Sequence, residues 1–74
     1  MKIKVKLFAT LRAKHEKEMD LELHETTTPA DILNLLGIPH SEAAIIMVNG
    51  RHCKLSARLS EYDTVAFFPA VGGG

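Results

Sequence analysis

The stretch Thr64-Val65-Ala66-Phe67-Phe68 decides the fold of this 74-residue chain. It is dense in β-forming residues and long enough for a central strand. No strand directly upstream can pair with it as a hairpin, so we expect it to pair in parallel with the first strand of the chain. This pairing predicts an α+β fold, a mixed sheet with one main helix crossing one of its faces.

The N-terminal part of the chain predicts two strands that each have one buried and one solvated face. Apolar residues alternate with lysines over residues 1–8, and they alternate with acidic residues over residues 18–24. A period of two is typical of a half-buried strand. Two such segments in succession predict a hairpin in which the lysines face the acids. Residues 9–17 form the connection, and we expect Leu11 to reach the core.

The sequence then marks the start and the end of one helix. Thr28 is a favourable N-cap, Pro29 fits the first helical position, and Asp31 is an acid in the first turn. Gly37 is predicted to be a left-handed C-cap. A helix of two to three turns is too short to be stable alone, so it must pack on the sheet. The helical spacing predicts a buried stripe formed by Ile32, Leu35 and Leu36.

The second half of the chain predicts another hairpin. Residues 43–48 are an apolar, β-branched-rich run that ends at Asn49-Gly50, a strong signal for a tight turn between strands. The return strand is predicted over residues 51–54, and it is brief. Residues 55–62 are irregular and polar, with Leu55 and Leu59 as anchors to the core.

Length and composition limit what the chain can do. A domain this small hides only about 60% of the surface of its unfolded chain, which leaves room for one core and no deep active-site cavity. This favours a protein that binds, carries or regulates. Nine basic residues balance nine acidic ones, and this balance argues against a nucleic-acid partner.

The single cysteine, Cys53, excludes an internal disulfide and is interpreted as a small core hydrophobe. The N-terminus lacks the apolar region of a signal peptide, and no run approaches the roughly 20 apolar residues of a membrane span. The sequence therefore predicts a cytoplasmic protein with no membrane partner. The four histidines lack metal-site spacing, and no glycine-rich phosphate loop precedes a helix. We expect no metal and no cofactor bound by this chain.

The C-terminal segment predicts a flexible tail, residues 69–74, after a domain of residues 1–68. Pro69 ends the strand pairing, and the glycines 72–74 cannot hold a single conformation. The tail can extend about 20 Å. It has no side chain beyond Val71, so it can thread a narrow channel in another protein. The carboxylate of Gly74 has no Cβ to block attack, so an ATP-using partner could activate it as an acyl phosphate.

These features resemble the MoaD/ThiS family of small sulfur-carrier proteins, which have the ubiquitin-like β-grasp fold. The resemblance covers nearly the whole chain and is closest to the molybdopterin-synthase small subunit. It is carried by Leu7-Phe8-Ala9 with Leu11-Arg12, by Val48-Asn49, and by Val65-Ala66-Phe67-Phe68-Pro69-Ala70-Val71 running into Gly73-Gly74.

The resemblance implies a carrier that is not itself an enzyme. An E1-like adenylyltransferase would use its own ATP and magnesium to adenylate the Gly74 carboxylate. A sulfurtransferase or desulfurase would supply sulfur, ultimately from cysteine, and the product would be a C-terminal thiocarboxylate. A sulfur-acceptor synthase subunit would then pass the sulfur to a pterin precursor, whose dithiolene later holds molybdenum or tungsten.

The resemblance also implies site residues. Gly74 carries the reaction, and Gly72 and Gly73 form the tail before it. The residues expected to contact partners are Phe8, Phe68, Pro69, Val71 and His52. Strand alternation supports two of these, because it puts Phe8 on the face opposite Leu7 and separates Phe67 from Phe68.

The sequence also departs from the family pattern and leaves several functions open. His52 stands where these relatives carry an apolar contact residue, and Glu61-Tyr62-Asp63 replaces an Asp-Gly-Asp turn. Ala70 and Gly72 replace a proline and a small residue. The same carrier chemistry could serve thiamine, cysteine or methionine synthesis, or tRNA thiolation. The chain could also be a ubiquitin-like modifier of lysines, or a structural subunit with an inert tail.

Overall fold

A computed structural model describes residues 1–12 and 15–70 of the chain. Within these ranges it has five strands, one α-helix and two short 3-10 helices, at Ala9–Arg12 and His40–Glu42. The strands and the helix, in chain order, are β1 (Lys2–Leu7), β2 (Glu18–Glu22), α1 (Pro29–Leu36), β3 (Ile45–Val48), β4 (Arg51–His52) and β5 (Thr64–Phe68).

All five strands form one mixed sheet with the order β2-β1-β5-β3-β4. β5 pairs in parallel with β1 and antiparallel with β3, so it lies at the centre. The predicted central, parallel position of residues 64–68 is therefore confirmed. The predicted hairpin of β1 and β2 is also confirmed, because these two strands pair antiparallel.

The core lies between one face of the sheet and α1. Ile3, Val5 and Leu7 of β1 are almost fully buried, and so are Val65 and Phe67 of β5. They pack in one cluster with residues of α1 and with Leu11, which reaches the core from the Ala9–Arg12 helix as expected. Leu59 is buried in this cluster and Leu55 packs against it, so both predicted anchors are confirmed.

The start and the end of α1 match the sequence signals. The Thr28 side chain accepts a hydrogen bond from the Asp31 amide, and the Asp31 carboxylate accepts one from the Thr28 amide, which forms a capping box. Gly37 ends the helix with a φ of 71°. At eight residues α1 is short, and within the described residues no helix has the length and apolar character needed to cross a membrane.

The predicted buried stripe of α1 was wrong at one position. Leu35 is 62% exposed, whereas Leu33 is fully buried. The face that meets the sheet begins at Pro29 and follows the spacing i, i+3, i+4, i+7. It therefore consists of Pro29, Ile32, Leu33 and the partly buried Leu36.

The turn between β3 and β4 is tight, and side chains tie it to the start of β5. Asn49 and Gly50 have φ angles of 52° and 82°, the left-handed conformation that such a turn requires. β4 is shorter than predicted, since it ends at His52. The Asn49 side chain accepts a hydrogen bond from the Thr64 amide and donates one to the Asp63 carboxylate, each 2.9 Å long. This network holds the hairpin against β5.

Tyr62 has a strained backbone. It has a φ of 68° and a side chain that is 75% exposed, in the turn where the family pattern has glycine. A bulky residue in the left-handed region costs about 1–2 kcal/mol. The conformation is held by the Tyr62 amide, which donates to the Lys2 carbonyl at 2.7 Å.

We expect Tyr62→Gly to raise the free energy of unfolding by up to about 1 kcal/mol, since relief of the strain outweighs the greater freedom of glycine in the unfolded chain. Urea unfolding of both proteins measures this difference. Ser60→Gly is the matched control at a loop position without positive φ, and it should lower stability by about 0.4–1 kcal/mol, because glycine gives the unfolded chain more freedom. A loss of stability in Tyr62→Gly would contradict the strain argument.

Candidate functional site

The face of the sheet opposite α1, here called the open face, carries the side chains that point away from the core. In β1 these are the lysines, and in β2 they are the acids, since Lys2, Lys4 and Lys6 pair in register with Glu22, Asp20 and Glu18. In β5 and β3 the same face carries mainly apolar side chains. The open face is therefore divided into a charged half and an apolar half.

Phe8 and Phe68 stack on each other on the open face. Their ring centroids are 4.4 Å apart and the rings are 12° from parallel. The contact exists because the Phe8 amide donates to the Phe67 carbonyl and extends the parallel pairing of β1 and β5 by one residue. Phe67 is fully buried, while both stacked rings are half-buried. The predicted positions of Phe8, Phe67 and Phe68 on the two faces are thus confirmed.

Three further side chains continue this surface across the sheet. Ile45 lies opposite Phe68, and Met47 lies opposite Ala66, so each pair shares the open face. Ile45 is 37% exposed, and Met47 is half-buried. We call the surface formed by Phe8, Ile45, Met47, Ala66 and Phe68 the apolar patch. Partly exposed apolar side chains that lie together in this way mark binding surfaces.

The structure brings His52 to the margin of the apolar patch. His52 pairs in register with Met47 and is exposed. Pro69 directly follows Phe68 and is half-buried, and Ala70 is exposed. Of the predicted partner residues, Phe8 and Phe68 are in contact, Pro69 directly follows Phe68, and His52 lies on the edge strand next to Met47. The other predicted site residues, Val71, Gly72, Gly73 and Gly74, lie outside the described residues.

One end of the Phe8–Phe68 stack is positively charged. The Arg12 guanidinium lies 5.8 Å from the centre of the Phe8 ring, and its Nε donates to the Leu7 carbonyl at 3.1 Å. Lys6 and Lys17 line the same shallow concave surface as Phe8 and Arg12. The carboxylate in this lining, Glu18, forms an ion pair with Lys4 at 3.0 Å.

The ion pair on the charged half shifts the pKa of both of its side chains. The hydrogen bond and the charge of Glu18 raise the pKa of the Lys4 ammonium, and Lys4 lowers the pKa of the Glu18 carboxyl in the same way. Both side chains are well exposed to water, so the pair adds little stability. However, the Glu18 carboxylate, which also lies near Lys6 and Lys17, is bound to Lys4.

Sequence reasoning missed Ile45, Met47 and Arg12. Residues 43–48 were interpreted as one apolar run, yet Ile46 is buried while Ile45 and Met47 face outward. The alternation of side chains along a strand was the available signal. In the sequence, Arg12 is only one residue of the family motif. Its position over Phe8 depends on a 3-10 helix that the sequence did not predict.

Within residues 1–12 and 15–70 no three His, Cys, Asp or Glu side chains are grouped so that they could hold a metal ion. Cys53 is partly buried and packs against the core cluster. Burial raises the pKa of its thiol.

Comparison with known proteins identifies the fold and the family. A family model described as the ThiS family matches residues 5–74. A candidate molybdopterin converting factor subunit 1 from Pyrococcus furiosus is 28% identical, with a TM-score of 0.72, and the match covers 96% of this chain and 99% of that one. The small archaeal modifier protein 1 of Methanosarcina acetivorans is 26% identical, with a TM-score of 0.69 over 99% and 96% of the two chains.

One chain in a complex of subunits 1 and 2 of molybdopterin-converting factor from Helicobacter pylori is similar in fold, with 16% identity and a TM-score of 0.65 over 100% of this chain and 100% of that one. No curated protein sequence matches significantly.

The five-stranded mixed sheet with one crossing helix is therefore a ubiquitin-like β-grasp fold of the kind found in small carrier subunits that are not themselves enzymes. The chain belongs to the ThiS family. The expected family resemblance and fold are both confirmed.

We expect Cys53 to react slowly while the protein is folded. Because burial raises the pKa of the thiol above its ordinary value of 9.0, a smaller fraction is thiolate at a given pH. Iodoacetamide should therefore alkylate the native protein more slowly than the urea-unfolded protein, as followed by mass spectrometry. The same shift should make stability fall as pH rises above about 9, because the unfolded chain then loses a proton that the folded chain keeps. Equal alkylation rates would contradict the burial of this thiol.

Proposed function

We propose that this chain is a sulfur carrier whose Gly74 carboxylate is adenylated by a partner enzyme and converted to a thiocarboxylate. The observation that carries the proposal is the apolar patch of a ThiS-family protein, which lies beside the exit of β5 toward the C-terminal glycines. Such a surface suits a partner that holds the domain while it acts on the tail.

The chemistry requires activation of a poor acyl donor. The Gly74 carboxylate attacks the α-phosphate of ATP, which is held with magnesium on an E1-like adenylyltransferase, and pyrophosphate leaves. The terminal sulfur of a persulfide on a sulfurtransferase or desulfurase then attacks the acyl carbon and displaces AMP. A thiol cleaves the resulting acyl disulfide, so the thiocarboxylate remains on the carrier and the disulfide on the partner.

The contribution of this chain to these steps is binding and positioning. β5 is paired on both sides, so the start of the tail at Pro69 is fixed relative to the apolar patch. Pro69 cannot donate a ladder hydrogen bond, which favours release of the chain from the sheet at this point. A partner that covers Phe8 and Phe68 therefore also fixes where the tail enters its own active site.

We propose molybdopterin synthesis, for a molybdenum or tungsten cofactor, as the first pathway to test. The similarity to the candidate molybdopterin converting factor subunit of Pyrococcus furiosus supports this choice. On this proposal a synthase subunit is the sulfur acceptor. A chain of similar fold is present together with a second subunit in the molybdopterin-converting factor complex from Helicobacter pylori. His52 lies at the margin of the patch, where the molybdopterin-synthase-like relatives carry an apolar contact residue. Because of this difference, thiamine, cysteine or methionine synthesis and tRNA thiolation remain alternatives.

A second candidate function is modification of other proteins through Gly74. The similarity to the small archaeal modifier protein 1 of Methanosarcina acetivorans favours it. Both functions begin with adenylation, and they differ in the nucleophile that follows. Sulfur gives a thiocarboxylate, while the amine of a lysine gives an isopeptide that survives reducing denaturing gels.

The carrier proposal predicts a specific mass change at the C-terminus. Intact mass spectrometry of the protein isolated from its own cells should show a fraction with one oxygen replaced by sulfur. A chain lacking Gly72, Gly73 and Gly74 should not show this fraction, because it ends at Val71 and has no glycine carboxylate to be activated.

Incubation with the adenylyltransferase, ATP and a sulfur donor should increase the same fraction. Only free carboxylate after this incubation would contradict the carrier proposal. Isopeptide-linked partners without any thiocarboxylate would favour the modifier function instead.

We expect Phe68→Ala to weaken binding to the adenylyltransferase while the domain remains folded. Loss of the stacking should lower the free energy of unfolding by about 0.5–1.5 kcal/mol, in addition to the loss of the burial of a half-buried ring. ATP–pyrophosphate exchange, measured against carrier concentration, should show a KM raised about tenfold or more, as for loss of an aromatic anchor. Leu35→Ala is the matched control, since Leu35 is an exposed apolar residue on the helix side of the molecule. An unchanged KM for Phe68→Ala would contradict the role of the patch.

A further inference from the structure

The end of the apolar patch nearest the Ala9–Arg12 helix is positively charged. Three cations, Lys6, Arg12 and Lys17, line one shallow concave surface together with Phe8, Leu7 and Glu18. The one carboxylate in this lining, Glu18, is bonded to Lys4. The chain as a whole has no net charge, so the positive charge at this end of the patch is local.

Arg12 differs from the two lysines because its position is fixed. The Leu7 carbonyl accepts the hydrogen bond from Nε at 3.1 Å, and the Phe8 ring lies 5.8 Å from the guanidinium carbon. These two contacts hold the planar group beside the stacked rings. Within the described part of the chain the terminal guanidinium nitrogens have no hydrogen-bond partner, and the side chain is exposed.

A guanidinium held in this way is suited to bind a carboxylate through its two terminal nitrogens. Phe8 is shared between Phe68 and Arg12, so a partner that covers the rings also reaches the arginine. Covering the rings removes water from around Arg12, and an ion pair formed there is stronger than an exposed one. Lys6 and Lys17, at the same end of the patch, attract the same carboxylate over a longer distance.

We propose that Arg12 is a specificity-determining residue, which pairs with a carboxylate on the activating adenylyltransferase next to the pocket that receives Phe8 and Phe68. This inference rests on the proposed function. It adds that the partner surface must be acidic at one defined end of an apolar pocket. Partners with a neutral or basic surface at that place are rejected, because Arg12 would be buried without a counter-charge.

The test is ATP–pyrophosphate exchange by the adenylyltransferase at varied concentrations of carrier. Arg12→Glu should raise the KM for the carrier at least about tenfold, since it places two carboxylates together. The kcat should be unchanged, because Gly74 and its approach to ATP are unaltered. Arg12→Lys should give an intermediate KM, because it keeps the charge but loses the planar fork and the bond to Leu7.

Arg58→Glu is the matched control. Arg58 is exposed in the loop between β4 and β5, and its reversal changes the net charge of the chain by the same amount. Its KM should stay within about twofold of the unchanged protein. Added NaCl should raise the KM of the unchanged protein more than that of Arg12→Glu, because screening weakens the ion pair. Circular dichroism of each variant checks that the domain is folded.

Two results would overturn the inference while the proposed function stands. One is a KM for Arg12→Glu within about twofold of the unchanged protein. The other is an equal rise in Arg58→Glu, which would show that only net charge matters. If the unchanged protein supports no exchange at all, the proposed function fails instead, so the two failures are distinguishable.

Discussion

The parallel hydrogen bonding between β1 and β5 is the constraint on which the rest of the structure depends. It brings the last strand to the centre of the sheet and the first strand beside it. The pairing buries Phe67 against α1 and turns Phe68 to the open face. It also carries Phe8 to the position where its half-buried ring can stack on that of Phe68. The apolar patch and the start of the tail both follow from this one pairing.

The register of β5 therefore determines which side chains lie on the open face. A slip by one residue would exchange Phe67 and Phe68 between the core and the open face. The structure prevents this slip at the start of the strand, where Asn49 bonds to Thr64 and Asp63, and through four paired residues of β3. The turn at Asn49-Gly50 lies far along the chain from Phe8, yet it helps determine which ring a partner meets.

Most of the fold could be predicted from local patterns. Alternation gave β1 and β2, the capping residues Thr28 and Gly37 gave the ends of α1, and the lack of a hairpin partner gave the parallel position of β5. Leu35 was misassigned because the spacing from Ile32 fits two adjacent faces of the helix. The contact of α1 with the sheet begins at Pro29, and this contact determines which face of the helix is buried. Ile45 and Met47 were missed because an unbroken apolar run shows no contrast between its two sides. Arg12 acquires its place only when the chain turns back over Phe8.

The central position of β5 also has a mechanical consequence. A partner that draws the C-terminal residues into a channel pulls β5 along its own axis. The hydrogen bonds to β1 and β3 run across that axis, so the load is shared by both ladders in shear, and they are not opened one bond at a time. A strand at the edge of the sheet would peel away under the same pull. The folded domain can therefore resist a pull on its C-terminal residues and remain outside the channel.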